Sequence, residues 1–329
     1  MPPDPAPAAP VGDRQGLAIV VLLGLIWGSA YPVIRYGILA GATPIAFAAA
    51  RYAISALAIA ALAAATRLPR PTGPSLLLSG LLGIPIVGVY GLLLYWGEQT
   101  TSGGLSSILI GTTPLLTVLV ALPILSAEPL HRAGYLGLGV GFAGVVVLVA
   151  PPPGVTLASS LWGPLAVLGA AVSFAMGSVL LRARRPEGET LWGLAAQFTV
   201  ATVFLAGVIP ILEPNRALPA SGGVLAALLY LVVLPSVAGY ALYAFLHHQV
   251  GPSRANVVAY VNPVAALTIG VFLFGETFQW WELVGFGLIV VGLTLLSGFG
   301  RAPQRPEAAN GNPSVQEPRN TPEERTGNV

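Results

Sequence analysis

The chain reads as a series of long apolar runs separated by short polar or proline-rich joints. Ten runs can be counted, at roughly 17–36, 44–65, 75–97, 103–126, 133–150, 160–181, 190–211, 222–246, 253–274 and 281–299. Each is close to the ~20 residues a helix needs to cross a bilayer core of ~30 Å. The strict alternation of a half-buried strand is missing from them. The joints carry the helix breakers: "RLPRPTGP", "APPPGV", "RARRPEGET" and "EPNRALPASGG". This pattern predicts an all-α integral membrane protein with ten transmembrane helices. Residues 1–16 lack the basic start of a signal peptide, and no small-residue cleavage site follows the first run. That run is expected to stay in place as a first span. Residues 300–329 are rich in Pro, Asn, Glu and Arg and are expected to form a disordered cytoplasmic tail.

Composition agrees and adds an orientation. Of the 329 residues, 55% are hydrophobic and 9% charged, and the mean hydropathy is +0.78; a soluble chain carries about 25% charge. With no cysteine there is no disulfide framework and no thiolate chemistry. With no lysine, all 15 basic residues are arginine. If the N-terminus is inside, Arg14, Arg67, Arg70, Arg132, Arg182, Arg184, Arg185, Arg254, Arg301 and Arg305 fall on the inner side. Arg319 and Arg325 join them in the tail, and only Arg35 and Arg216 lie outside. This positive-inside bias places both termini in the cytoplasm of a cell with this protein in its inner membrane.

The two halves resemble each other. Pro114 matches Pro263, 149 positions on, and Glu128 matches Glu276 at 148. Gly137, Gly139 and Gly144 match Gly285, Gly287 and Gly292 at the same offset of 148, while Trp27 matches Phe174 and Arg35 matches Arg182 at 147. A repeat of five spans inserts its second copy upside down, the inverted-repeat plan of secondary transporters, with substrate bound near the midplane. The organisation expected is a first repeat over 17–150 and a second over 160–299. The segments "WGSAYPVIR", "RY" in the second run, "TTPLL…AEPL" and "VNPVAAL…FGE" resemble the EamA family of the drug/metabolite transporter superfamily. That resemblance implies ten helices in two inverted halves and export of small metabolites, often amino acids, or of drugs. Glu98 and Asn262 depart from the family pattern, which has a small or apolar residue at the first position and often an acidic one at the second.

Charged groups within apolar runs are costly and mark cavities or partners. Trp27, Tyr31 and Arg35 form one helical stripe. Trp27 and Tyr31 are expected to line a central cavity, with Arg35 at its outer rim and Tyr95 near the mouth. Arg35 or Arg51 is expected to meet Glu98 or to hold a substrate carboxylate at an outer vestibule. Gln197 is the repeat partner of Arg51. Ser236, Tyr240, Tyr243 and His247 form a second stripe suited to a pathway. Ser102, Ser106, Thr113 and Thr117 form a third, better suited to a helix seam. Asn256, Tyr260 and Asn262 are the polar positions of the ninth run. Pro114 and Pro263 either hinge alternating access or leave carbonyls that Thr113 and Asn262 satisfy. Glu98 and His247, at equivalent repeat positions, are candidate proton carriers. The binding set is therefore Trp27, Tyr31, Arg51, Tyr95, Gln197, Tyr240, Tyr243, Asn256 and Asn262. The coupling or gating set is Arg35, Glu98, Pro114, His247 and Pro263. Glu128 and Glu276 are expected to bond nearby N–H groups or an arginine.

There is no GxxxxGK[ST], no HExxH, no Cys/His cluster and no GxSxG, so the sequence offers neither ATP-driven transport nor the chemistry of a membrane enzyme. No cofactor, metal or nucleic acid is implied. The expected partners are a small-molecule substrate and the lipid bilayer, with monomer and homodimer both open. The reading is an exporter of a small organic metabolite, an amino acid first. A drug or cation efflux carrier and a non-transporting membrane scaffold are the alternatives.

Overall fold

A computed structural model describes residues 13–125, 130–150, 161–184, 191–214, 219–250 and 258–297. Among them every regular element is helical. Eight helices are long and apolar enough to cross a membrane: α1 (Gln15–Leu39), α2 (Pro44–Ala65), α3 (Gly73–Gly97), α4 (Gly103–Ile124), α5 (Arg132–Val149), α6 (Trp162–Arg184), α7 (Leu191–Leu212) and α8 (Gly222–Tyr243). Two further helices, α9 (Val258–Phe274) and α10 (Trp280–Ser297), are apolar but shorter. Asn256, Glu128 and Arg254 lie outside the described residues, as does the side chain of His247, although α8 continues as a helix to Val250.

The ends are set by local chemistry. Pro44 opens α2 in the first turn, where its missing N–H costs nothing. Ser102 and Ser221 cap α4 and α8, their hydroxyls accepting from the backbone N–H groups of Leu105 (3.1 Å) and Val224 (3.3 Å). Gly275, at φ +67°, follows α9 in the left-handed region that glycine tolerates, and turns the chain so that the Glu276 N–H bonds Gly270 O at 2.9 Å.

Four helices are less regular than their hydropathy suggests. α1 is interrupted at Ser29 and α4 at Gly111–Thr112. α3 and α8 each pass through a π-helical stretch, Ile84–Val89 and Val232–Ala238. Each stretch holds a proline, Pro85 or Pro235, and these lie 150 positions apart. Proline removes an N–H and frees an upstream carbonyl, which a wider turn accommodates. In α8 the freed Leu231 O accepts from Ser236 Oγ at 3.0 Å. The proline pair, for which a hinge and a satisfied carbonyl were both open, behaves unevenly. Pro114 starts the second segment of α4 after its break, whereas Pro263 sits inside an uninterrupted α9.

Packing relies on small residues, because lipid supplies no hydrophobic force between helices. α5 lies on α10, α2 on α7, α1 on α9 and α4 on α6. A Cβ added at Gly137 would meet Gly292 O at 2.6 Å, and one at Gly144 would meet Gly285 O at 2.6 Å. Because Gly137 matches Gly285 and Gly144 matches Gly292 in the repeat, these two contacts are each other's counterpart. On α1 a Cβ at Gly28 would meet Asn262 O of α9 at 2.5 Å. Among the hydroxyls of α4, Thr113 and Thr117 bond carbonyls of their own helix, Ile110 O (2.5 Å) and Thr113 O (2.8 Å).

Candidate functional site

α1, α2, α3, α4, α6, α7, α8 and α9 enclose a central cavity of ≈330 Å³. Trp27, Tyr31, Arg51, Tyr240, Tyr243 and Asn262, six of the residues singled out in the sequence, line it, as does Pro114. Tyr52, Tyr90, Phe174 and Phe198 complete an aromatic wall that the sequence stripes did not identify. The signal was present: Tyr52 and Phe198 directly follow the repeat-matched pair Arg51 and Gln197, and Tyr90 lies 150 positions before Tyr240.

The rings meet in a reciprocal pattern. Trp27 is 5.5 Å from Tyr240, edge to face, and Phe174 is 5.6 Å from Tyr90. Tyr52 and Phe198 contact each other at 5.3 Å. The indole N–H of Trp27 donates to Pro235 O at 3.0 Å, and the Ser173 hydroxyl donates to Pro85 O at 2.8 Å. The first helix of each half thus ties the π-helical segment of the other. Trp27→Phe keeps the ring but leaves Pro235 O without its donor. It is expected to cost about 1–3 kcal/mol, read as a lower melting temperature in detergent.

Arg51 is the charged group of the cavity. Its side chain, 9% exposed, crosses from α2 toward α8. Nε donates to Ser236 Oγ at 3.2 Å and Nη1 to Tyr95 OH at 3.1 Å, and the guanidinium carbon lies 5.7 Å from the Tyr52 ring centroid. These bonds fix the fork, while Nη2 has no protein acceptor among the described residues. No Asp or Glu is among the described residues that line the cavity. Arg51 therefore stands on the cavity wall, bonded to Ser236 and Tyr95 rather than to the Glu98 carboxylate. The expectation failed because its neighbours are set by how α2 crosses α3 and α8, which span counting does not reveal. Tyr95 is fully buried behind Arg51 as its hydroxyl partner and does not face the cavity. Gln197 is buried on α7, its backbone against Gly83 of α3, and is also absent from the wall. Asn262, with its amide nitrogen toward them, donates to Val258 O and Gly24 O at 3.1 Å each, stitching α9 to α1.

Arg35 does not engage the Glu98 carboxylate. Its Nη1 donates to the backbone carbonyls of Glu98 and of Thr101 (2.9 Å), and Nε lies 3.9 Å from Glu276 Oε1. Glu276 behaves as expected for a structural carboxylate. It accepts from the N–H groups of Gly103 (2.9 Å) and Gly104 (3.1 Å) at the start of α4, where the helix dipole favours an anion. Glu213, unremarked in the sequence, does the same for Ile45 (3.0 Å) and Ala46 (3.1 Å) of α2. Glu276→Ala is expected to destabilise the fold by about 1–3 kcal/mol per orphaned N–H, seen as a lower melting temperature than that of Glu276→Gln, which keeps one acceptor oxygen.

The chain matches the EamA-like transporter family twice, over residues 14–150 and 161–298. It is 30% identical over 279 residues to the uncharacterized inner membrane transporter YedA of Escherichia coli K12, covering 84% of this chain and 88% of that protein. It is 28% identical to a protein of Streptantibioticus cattleyicolor named a probable terminal-alkyne amino-acid exporter, covering 84% and 92%. A solved crystal structure shares the fold with a TM-score of 0.57 at 23% identity, covering 86% of this chain and 96% of that one.

Proposed function

The chain belongs to the EamA-like transporter family and is a multi-pass membrane transporter rather than an enzyme, and from that premise we propose that it exports a small organic metabolite with a carboxylate head, an amino acid first, by alternating access. The carrier would be two inverted five-helix halves in the cytoplasmic membrane, both termini inside. Reciprocal contacts support that plan: Gly137–Gly292 with Gly144–Gly285, and Trp27–Tyr240 with Phe174–Tyr90. In both pairs, repeat-matched residues exchange places, as a pseudo-two-fold axis requires. The ties from Trp27 to Pro235 O and from Ser173 to Pro85 O link each half to an irregular stretch of the other, where a rocking motion would be absorbed.

The observation that carries the substrate class is Arg51. A guanidinium with a free edge, held rigidly in a ring-lined cavity with no acid among the described residues of its wall, favours an anionic head. The rings would take an apolar or aromatic body and, through their faces, an ammonium group. A cation efflux carrier needs an acid where this wall has a base. The amino-acid exporter among the relatives agrees with this choice. The test is counterflow: purified protein in liposomes loaded with an amino-acid pool, with entry of each labelled amino acid measured. Uptake of a subset supports the reading; no counterflow from folded protein removes amino acids from it.

A further inference from the structure

Glu98 lies just past the end of α3 and is 0% exposed. Neither of its carboxylate oxygens has a hydrogen-bond partner among the described residues, and the hydroxyls of Ser106 and Ser107 on α4 are likewise buried and unpartnered. Among the described residues, charged and titratable groups surround it from four elements. From α1 come Tyr31 and Arg35, from α2 Arg51, from α3 Tyr95, and from the turn after α9 Glu276. α6 meets this end of α3 through Gly163 and Val167, which do not titrate.

The arrangement holds two cations, Arg35 and Arg51, and two carboxylates, Glu98 and Glu276. Glu276 takes Arg35 and two helix N–H groups, so that pair is closed. What remains is Arg51 and Glu98, on either side of Tyr95: the Tyr95 hydroxyl accepts from Arg51, and Tyr95 lies three residues before Glu98 on α3. An ionised Glu98 is a buried anion with no cation bonded to its carboxylate among the described residues and the Ser106 hydroxyl facing it, an expensive state. Burial and the like charge of Glu276 hold its carboxyl well above the usual carboxylate range. With the cavity empty, Arg35, the Ser106 hydroxyl and Arg51 compensate for ionising Glu98, and of these Arg51 is the cation that faces the cavity. A carboxylate docked on Arg51 cancels its share of that compensation and favours the protonated form.

We propose that Glu98 is a proton-binding site of the carrier, electrostatically linked to Arg51, and that a proton on Glu98 and a substrate carboxylate on Arg51 bind together, so that efflux driven by the substrate's own outward gradient carries a proton out with it. The second half rests on the reading of Arg51 as the headgroup contact. Linkage makes the coupling reciprocal: protonation raises affinity for the anion by the factor by which the anion raises affinity for the proton. Ser107, on the cavity wall and next to Ser106, places hydroxyls between Glu98 and the cavity.

The test begins without substrate. Infrared titration of the purified full chain is expected to show a protonated carboxyl absorption that is lost in Glu98→Gln and persists in Glu282→Gln, which removes another buried acid. In Arg51→Gln, with Glu98 intact, the midpoint is expected to move up by about one pH unit, because a cation that stabilised the ionised form is gone. An unmoved midpoint, or a Glu98→Gln spectrum equal to the parent from acid to alkaline pH, overturns the proposal. In liposomes, counterflow of labelled L-phenylalanine by the parent is expected to respond to an imposed pH gradient, and in Glu98→Gln that response is expected to be lost; a retained response overturns coupling through Glu98. Titration with the Arg51 shift but no counterflow supports the proton site and strikes the substrate reading. Counterflow without titration does the reverse.

Discussion

Arg51→Gln is expected to reduce amino-acid counterflow by ten- to a hundredfold while leaving a folded protein. A charge-assisted bond is worth about 1.5–3 kcal/mol, and each 1.4 kcal/mol is tenfold in affinity. Folding should respond less. The variant loses bonds to Ser236 and Tyr95, but it also relieves the burial of a cation whose side chain is only 9% exposed. Arg51→Lys is expected to rescue poorly, since one ammonium cannot bond Ser236, Tyr95 and a carboxylate in the geometry of the planar fork. Val203→Ala, at an exposed position on α7, is the control. Parent-like counterflow in Arg51→Gln, with an unchanged half-saturating concentration, would show that the headgroup docks elsewhere.

Gly292→Leu is expected to abolish the folded protein. A Cβ at Gly292 meets Gly137 O and Gly141 N at 2.6 Å and Gly141 Cα at 2.7 Å, all of them backbone of α5. No rotamer relieves that contact, so α10 must move away from α5. Overpacking of this kind costs about 1–3 kcal/mol in cores that can adjust, and a backbone-on-backbone seam adjusts little. Gly287→Leu, one and a half turns earlier on the same helix, has nothing within 4 Å of its Cβ and is expected to be tolerated. Monodisperse protein recovered from membranes and its melting temperature separate the two. Equal recovery would mean that α5 and α10 do not pack through this face in the bilayer.

The paired glycines also show where sequence reading stops. Gly137, Gly139 and Gly144 and their counterparts were all visible as repeat matches, yet Gly139 and Gly287 face open space while the others are pressed against backbone. Hydropathy and repetition are one-dimensional signals, and they are strong here because lipid demands long apolar helices. They suffice for the helical class, most span boundaries within a few residues, the resemblance between halves, and the aromatic and arginine stripe of α1. Which side of a helix meets which neighbour depends on crossing angles and on phase. Phase shifts where a helix passes through a π-helical stretch or a break, as in α3, α4 and α8.

Crossing angle and phase together decide where the polar positions end up. Tyr95 and Gln197 were polar positions inside spans, and the fold placed both behind the cavity wall. Tyr52, Tyr90, Phe174 and Phe198 were ordinary membrane aromatics until α2, α3, α6 and α7 brought them together. Arg35 and Glu98 lie on one side of the membrane by span counting, which made them look like an ion pair. The turn after α9 instead delivers Glu276 to Arg35 and leaves the Glu98 carboxylate alone. The sequence by itself determined that this chain lives in a bilayer, repeats itself, and carries an arginine, Arg51, inside an apolar run, because transfer free energy is set by composition over a run. Only the tertiary structure decided which charges meet and which stand unpaired, because that depends on contacts between residues far apart in the chain.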